Sequence, residues 1–173
     1  DGLRVVDVTT PISPTQVALL EMEYDAQGVS VAGDYAYVIA DGVRVVDVGT
    51  PSAPQQLGSF DTTGWAFGVD VVGNYAYVID DGLRVIDVTM PESPAEVASL
   101  ETIRTAECVH VDGGYAYVAA RGSVSETNGV WGLWVIDVTT PTAPRATGFA
   151  ETPGRSEGVD VAGNYAYLAA GEA

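Results

Sequence analysis

Apolar and polar residues alternate along the chain in short runs that are separated by residues typical of turns. The stretch from residue 43 to 80 contains four such runs: "VRVVDV" (43–48), "QQLGSF" (55–60), "FGVDVV" (67–72) and "YAYVID" (75–80). Runs rich in Val, Ile and Tyr that alternate with a period of two predict β-strands. Since no segment carries the 3.6-residue period of an amphipathic helix, the pattern predicts an all-β fold.

One strand and its following turn occur four times in the chain. The stretch "GLRVIDVTMPESP" at 82–94 has near-copies that begin at Gly2, Gly42 and Gly132, so the copies start at residues 2, 42, 82 and 132. An internal repeat of this length indicates a repeat architecture. We therefore expect a single domain, 1–173, built from four repeats of about 40 residues: 1–40, 41–80, 81–131 with an insertion at 121–131, and 132–173.

The links between the predicted strands indicate how the strands connect. Gly-Asn, Gly-Asp and Gly-Gly occur where two strands are separated by two residues, and these pairs are typical of tight β-hairpins. Proline in the recurring "DVTTPxxP" segment cannot continue a strand and ends it. A sheet of four short antiparallel strands cannot bury both of its faces alone, whereas stacking such sheets around an axis can. This reasoning predicts a β-propeller.

Two arrangements of the propeller are open. If residues 2–21 pair with residues 157–170, the half-blades at the two ends of the chain form one sheet, and four blades close a ring without open edges. Alternatively, the chain is part of a larger ring of six to eight blades, or half of a ring that a second copy completes. The phase of the repeats supports ring closure, but the sequence cannot count blades beyond the four repeats present, so both arrangements stay open.

The repeated segments resemble a known family. The "L-x-V-I-D-V" strand, the "T-x-P-x-x-P" turn and the "G-x-Y-A-Y-V" strand are similar to those of the LVIVD-repeat family of bacterial and archaeal propeller-like proteins. The resemblance extends over the whole chain apart from 121–131. It implies an extracellular or cell-surface repeat protein, and it brings no catalytic motif.

The charge balance restricts the classes of partner. The chain has 24 Asp and Glu residues against seven Arg and no Lys, for a net charge of -17. The negative electrostatic potential around such a chain repels phosphate backbones and anionic lipid heads, so we expect no nucleic-acid partner. We also expect no membrane insertion, because no apolar run approaches the roughly 20 residues that cross a bilayer. Cys108 is the single cysteine, which excludes a disulfide within the chain.

Positions shared by all four repeats are expected to maintain the scaffold. One Asp precedes each proline-containing turn, where a carboxylate can accept backbone N–H groups; these are Asp7, Asp47, Asp87 and Asp137. Pairs of Tyr two residues apart share one face of a strand, which predicts packing between blades; these are Tyr35 and Tyr37, Tyr75 and Tyr77, Tyr115 and Tyr117, and Tyr165 and Tyr167.

Positions that differ between repeats are the candidates for binding. Strand parity places the insertion 121–131 and the connections between blades at one end of the ring. Loops on a rigid scaffold are the usual place for recognition. We therefore predict binding residues on this face that are aromatic or charged: Tyr24, Trp65, Phe67, Arg104, Trp131 and Arg155. Ordinary solvated loops are the alternative interpretation.

The inner strands carry polar residues at one equivalent position of each repeat: Ser30, Asp70, His110 and Asp160. Asp70, His110 and Asp160 could coordinate a cation in the channel, and because oxygen ligands outnumber nitrogen the cation would be calcium. The alternative is that these residues are polar groups lining a wet channel. No other cofactor is required.

These observations favour a non-enzymatic binding or assembly module outside the cell or at its surface. Its loop-rich face would bind a protein, a glycan or other copies of itself. The alternative is a hydrolase or lyase that uses Asp70, His110 and Asp160, since propellers also host such chemistry.

Overall fold

The computed structural model describes residues 1–101, 104–121 and 130–171, and it leaves out the side chains of Arg104 and Arg121. These residues form β-strands joined by turns, and no helix in them is long and apolar enough to span a membrane. The strands are β1 (Gly2–Asp7), β2 (Thr15–Glu21), β3 (Gly28–Ala32), β4 (Tyr35–Ile39), β5 (Val43–Asp47), β6 (Gln55–Phe60), β7 (Gly68–Val72), β8 (Tyr75–Ile79), β9 (Leu83–Asp87), β10 (Ala95–Leu100), β11 (Arg104–Asp112), β12 (Tyr115–Arg121), β13 (Trp131–Asp137), β14 (Arg145–Thr152), β15 (Ser156–Ala162) and β16 (Tyr165–Ala170).

The strands form three complete sheets and two half-sheets, all antiparallel. Sheet I is β3–β6, sheet II is β7–β10 and sheet III is β11–β14, each with its strands in chain order. The N-terminal half-sheet is β1–β2 and the C-terminal half-sheet is β15–β16. The first strands of successive sheets lie side by side, β3 against β7, β7 against β11 and β11 against β15. The all-β prediction is confirmed, and the arrangement is propeller-like.

Each complete sheet draws its strands from two neighbouring sequence repeats. In sheet I, β3 and β4 come from repeat 1–40, whereas β5 and β6 come from repeat 41–80. The half-sheets at the two ends are the two halves of one such unit, as the sequence analysis expected. However, they form separate two-stranded sheets in the structure. The closed four-bladed ring within one chain is therefore not the observed arrangement, and the chain forms an open series of sheets.

The core lies between the faces of successive sheets. Leu83 and Val85 of sheet II belong to one buried cluster with Val109 and Val118 of sheet III. A second cluster joins sheets I and II, and a third joins the outer face of sheet I to the N-terminal half-sheet. Each four-stranded sheet is thus apolar on both faces, as sheets covered on both sides must be.

The predicted packing role of the tyrosines holds where both neighbouring sheets are present. Tyr37 packs in the cluster between sheets I and II, and Tyr77 packs in the cluster between sheets II and III. Each is only 3% exposed, and burial raises the pKa of both phenols. Tyr165 and Tyr167, on the C-terminal half-sheet, are exposed instead. Within the described residues, no further sheet packs on the outer face of this half-sheet, whereas Tyr37 and Tyr77 lie between two sheets.

The prediction that the repeated Asp residues stabilise turns is confirmed. A carboxylate oxygen accepts the backbone N–H group two residues ahead at 2.8 Å in the turns of Asp7, Asp47 and Asp87, and at 2.9 Å in that of Asp137. At Asp137 the hydroxyl of Thr139 also donates to the same oxygen, at 2.6 Å. These hydrogen bonds lower the pKa of Asp137, with the hydroxyl as the larger cause, and Thr89 lowers that of Asp87 in the same way. The carboxylates therefore fix the bends that end the strands.

Glycine is required to different degrees in the two kinds of hairpin. Gly73 has a φ of 60° in the two-residue turn between β7 and β8, and a Cβ built there meets nothing within 4 Å. Gly42 has a φ of 103° in the turn between β4 and β5, where a Cβ would lie 2.4 Å from the carbonyl oxygen of Phe60. Of these two glycines, Gly42 alone is restricted by both backbone conformation and space.

Replacing these two glycines should separate the two restrictions. Gly73→Ala should lower the free energy of unfolding by about 1 kcal/mol, the cost of a left-handed conformation for a residue with a side chain. Gly42→Ala should cost about 2 kcal/mol more, because the new methyl group also displaces the end of β6. Urea unfolding followed by circular dichroism measures both losses. Equal losses would contradict the steric explanation.

The Asp137 turn predicts a pH dependence of stability. Folding lowers the pKa of Asp137, so its ionised carboxylate stabilises the folded state. This stabilisation is complete above the pKa of the unfolded chain, about 3.9, and it is lost as the pH falls through the lower pKa of the folded state. Thr139→Val removes the hydroxyl donor, so the variant should melt at a lower temperature than the wild type above pH 4, with the difference shrinking toward pH 2.5. Thr140→Val, at the exposed neighbouring residue, is the control. A difference that did not change with pH would exclude the carboxylate as its source.

Candidate functional site

The register of the strands brings the connections between sheets to one end of the molecule. In sheet I, the end of β4 pairs with the beginning of both β3 and β5, and the beginning of β5 pairs with the end of β6. The hairpin link 40–42 therefore lies at the same end as the connections into β3 and out of β6. We call this end, with the equivalent links of the other sheets, the rim. The insertion 121–131 belongs to the rim link between β12 and β13, although residues 122–129 lie outside the described residues.

A buried small residue anchors each connection that enters sheet II, sheet III and the C-terminal half-sheet. Ala66, Ala106 and Ser156 occupy equivalent positions and are buried. Trp65 and Phe67, on either side of buried Ala66, are both exposed. The scaffold fixes the backbone of this connection while its aromatic side chains face solvent.

The exposed aromatic residues are among those that the sequence analysis selected. Trp65 is 78% exposed, and Tyr24 and Phe67 are exposed by more than two-fifths. Tyr24 lies in the connection between β2 and β3, while Trp65 and Phe67 lie in the one between β6 and β7. All three are therefore at the rim, although Tyr24 and Trp65 are not at equivalent positions of their connections.

Two of the other predicted binding residues form one cluster with an acidic side chain. The Arg155 guanidinium lies 5.7 Å from the centre of the Trp131 ring, within the range of a cation–π contact. It also donates to Oε1 of Glu107, from Nη2 at 2.8 Å and from Nε at 3.1 Å. These hydrogen bonds raise the pKa of Arg155. The cluster joins β11, β13 and the start of β15 at the rim.

The remaining predicted binding residue is Arg104, at the start of β11, and its side chain lies outside the described residues. Glu107 lies in the same variable connection as Arg104 and was noted there with it, but it was not one of the predicted binding residues. The available signal was charge: Glu107 and Arg155 are oppositely charged residues in successive inter-sheet connections, and such connections meet at the rim.

The three predicted cation ligands lie on successive inner strands and come close together. His110 Nδ1 is 3.8 Å from Asp70 Oδ2 and 3.7 Å from Asp160 Oδ1. Asp70 already accepts several hydrogen bonds: Oδ1 accepts those of the Ser30 hydroxyl at 3.3 Å and the Val71 N–H at 2.9 Å. Its Oδ2 accepts the N–H group of Val111, in the next sheet, at 2.7 Å.

This geometry gives Asp70 a role between sheets, since one carboxylate joins β7 to β11 through a backbone donor. Over residues 1–101, 104–121 and 130–171, no three His, Cys, Asp or Glu side chains are grouped so as to hold a metal ion. The calcium site at Asp70, His110 and Asp160 stays a prediction of the sequence.

A second feature of the rim was not selected from the sequence. A polar pocket of about 420 Å³ lies beside the hairpin between β8 and β9, and Thr63, Asp80, Arg84 and Glu101 contribute to its lining. Arg84 is held by the carboxylate of buried Asp80, by Glu96 at 2.7 Å and by the Thr63 hydroxyl at 2.6 Å. Because each of its three guanidinium nitrogens donates to one of these partners, Arg84 stabilises the wall of the pocket.

Comparison with solved structures finds similar folds at low sequence identity. The computationally designed Ika4 protein is 15% identical, with a TM-score of 0.67 over 88% of this chain and 89% of that one. A functionally unknown protein from Desulfotomaculum acetoxidans DSM 771 is 16% identical, with a TM-score of 0.65 over 80% of this chain and 46% of that one. Glutaminyl cyclase from Myxococcus xanthus is 16% identical, with a TM-score of 0.50 over 73% of this chain and 54% of that one. At this identity the likeness shows the fold alone.

Comparison with curated protein sequences found no match. The sequence pattern of the LVIVD repeat, in contrast, matches four consecutive segments of the chain, at residues 24–62, 63–102, 103–152 and 153–173. The first three segments contain sheets I, II and III, and the fourth contains the C-terminal half-sheet. The repeat resemblance and the observed sheets therefore agree, and the chain belongs to the LVIVD repeat family.

Proposed function

We propose that this protein is a non-enzymatic binding module whose rim engages a protein partner. The observation that carries the proposal is the exposure of Trp65 beside exposed Phe67, on a connection anchored by buried Ala66. Tryptophan is enriched among the residues that dominate binding energy at protein interfaces. An exposed pair of aromatic residues on a fixed backbone can bind with little loss of conformational entropy.

The charge of the molecule indicates the chemistry of the partner. With a net charge of -17, the chain attracts cationic surfaces and repels anionic ones. The acidic residue Asp81 lies against Gly64, which directly precedes Trp65. Arg and Lys side chains can also stack on the face of an exposed Trp ring. The arrangement therefore favours a basic segment of a protein as the ligand, and the proposal places this encounter outside the cell or at its surface.

The hydrogen bonds of the inner strands support a binding role over the hydrolase or lyase alternative. Both Asp70 oxygens accept backbone N–H groups, one from its own strand and one from the next sheet. A carboxylate used in this way is committed to the scaffold. No observation of the site favours a reaction at Asp70, His110 and Asp160.

A peptide library enriched in Arg, Lys and aromatic residues tests the proposal. We expect peptides selected on the wild-type chain to bind Trp65→Ala at least about tenfold more weakly, the loss typical of a dominant interface residue. Phe67→Ala should weaken binding in the same direction. Met90→Ala is the matched control, because Met90 is an exposed apolar residue in a turn at the opposite end of the sheets.

Isothermal titration calorimetry of the selected peptides measures these differences. If the peptides bind Trp65→Ala and the wild type equally, the rim is not the binding surface. If a glycan array instead gives Trp65-dependent binding and the peptides do not bind, the ligand class is a glycan and the proposed protein partner is wrong.

A further inference from the structure

We propose that the polar pocket beside the β8–β9 hairpin is the subsite that receives one Lys or Arg side chain of the basic segment bound at Trp65. The inference rests on the function proposed above, and it names the chemical group that the rim would select. Three features support it: the place of the pocket, the arginine in its wall and the carboxylates in its lining.

The pocket adjoins the connection that presents Trp65. Thr63, two residues before Trp65, contributes to its lining. Asp81 also lines it, and Oδ2 of that residue lies 2.8 Å from the position that a Cβ would take on Gly64. The volume of about 420 Å³ is within the range of roughly 300–1,000 Å³ that is typical of ligand-binding pockets. A peptide lying across Trp65 could therefore place a neighbouring side chain in this pocket.

Two arginines hold that connection in place. Arg44 of sheet I donates to Asp61 Oδ1 at 2.8 Å, and Arg84 of sheet II donates to the Thr63 hydroxyl at 2.6 Å. The two arginine side chains are only 14% and 15% exposed. Successive sheets thus fix the connection at points two residues apart. Because the wall of the pocket is ordered before a ligand arrives, binding does not have to order it.

A buried carboxylate orients Arg84. Asp80 is 2% exposed; its Oδ2 accepts the Nε–H group of Arg84, and its Oδ1 accepts the backbone N–H group of Gly82 at 3.1 Å. The other three repeats have alanine at this position, at residues 40, 120 and 170. A buried ion pair is often no more stabilising than apolar residues in its place. The scaffold therefore does not require Asp80, and its presence indicates a role specific to sheet II.

The arginine of the third strand has different partners in sheets I and II. Arg44 pairs with Asp61, the acidic residue that follows β6. The equivalent acidic residue after β10 is Glu101, but each of the three guanidinium nitrogens of Arg84 donates to another side chain. Glu101 contributes to the lining of the pocket instead. The pocket thus keeps a carboxylate that Arg84 does not neutralise.

The charges around the pocket favour a cation. Four carboxylates and one guanidinium lie in it or beside it: Asp80, Asp81, Glu96, Glu101 and Arg84. Arg84 is already paired with two of these carboxylates, so Asp81 and Glu101 determine the sign of the local potential. An anionic group would be repelled both by them and by the net charge of -17.

The apolar part of the lining fits the stem of a long cationic side chain. Leu83 and Leu100 contribute to the pocket beside the polar residues. Lys and Arg place their methylene groups along apolar surface while the charged group meets polar partners. A pocket that combines both kinds of surface therefore suits either of these residues.

The peptides selected on the wild-type chain test this subsite by calorimetry. The double variant Asp81→Asn/Glu101→Gln should bind them about tenfold more weakly, because it removes two carboxylates that would pair with the ligand. Both residues are exposed, so the melting temperature should not change. The double variant Glu92→Gln/Asp112→Asn is the matched control. It removes the same charge from exposed positions at the opposite end of the sheets, and its affinity should stay within about twofold of the wild type.

Changes in the peptide identify the group that enters the pocket. Each Lys of the tightest peptide is replaced in turn by norleucine, and each Arg by citrulline, which removes the charge and keeps the length. One replacement should weaken binding to the wild type about tenfold and leave binding to Asp81→Asn/Glu101→Gln unchanged. If every replacement causes equal losses in both proteins, the pocket does not receive a cationic side chain.

Trp65→Ala in the same titrations separates this subsite from the function of the rim. If Trp65→Ala weakens binding while Asp81→Asn/Glu101→Gln binds as the wild type does, the subsite is wrong and the binding function of the rim stands. If Trp65→Ala binds as tightly as the wild type, the proposed function is wrong, and the subsite that rests on it is wrong as well.

Discussion

The structure depends on one constraint, which is that each sheet is apolar on both faces and must be covered on both. Four short strands cannot satisfy this requirement alone, so sheets I, II and III stack through the side chains of successive faces. Tyr37 and Tyr77 are buried by this stacking, whereas Tyr167, on the same kind of strand, is exposed. The stability of any one sheet is therefore a property of its neighbours as much as of its own strands.

Polar groups in the inner strands support the same stacking. The Asp70 carboxylate accepts a backbone N–H group from its own sheet and one from the next, so it aligns two sheets at the level of their first strands. At the turns, the Asp47, Asp87 and Asp137 carboxylates act locally and fix where each strand ends. Most acidic residues of such a chain repel one another, but these are placed where backbone donors offset that repulsion.

The side chains of the rim can vary, because they do not help to cover the apolar faces of the sheets. Buried Ala66, Ala106 and Ser156 hold the connections against the sheets, and the residues on either side of them need not pack. Trp65 is exposed for that reason, and Arg155 reaches across to Glu107. The same scaffold can thus present different side chains at the same places, which suits a binding surface.

The sequence by itself determined the strands, the hairpins and the roles of the repeated residues, because these depend on side-chain alternation and on turn chemistry within a few residues. The predicted strands 43–48 and 75–80 lie within one residue of β5 and β8, and the Asp87 turn is as expected. Only the tertiary structure decided which strands share a sheet, that the end half-sheets stay apart, and that Arg155 meets Glu107 over Trp131. These features depend on contacts between residues distant in the chain, and a pattern that repeats four times is equally compatible with several ways of joining its copies.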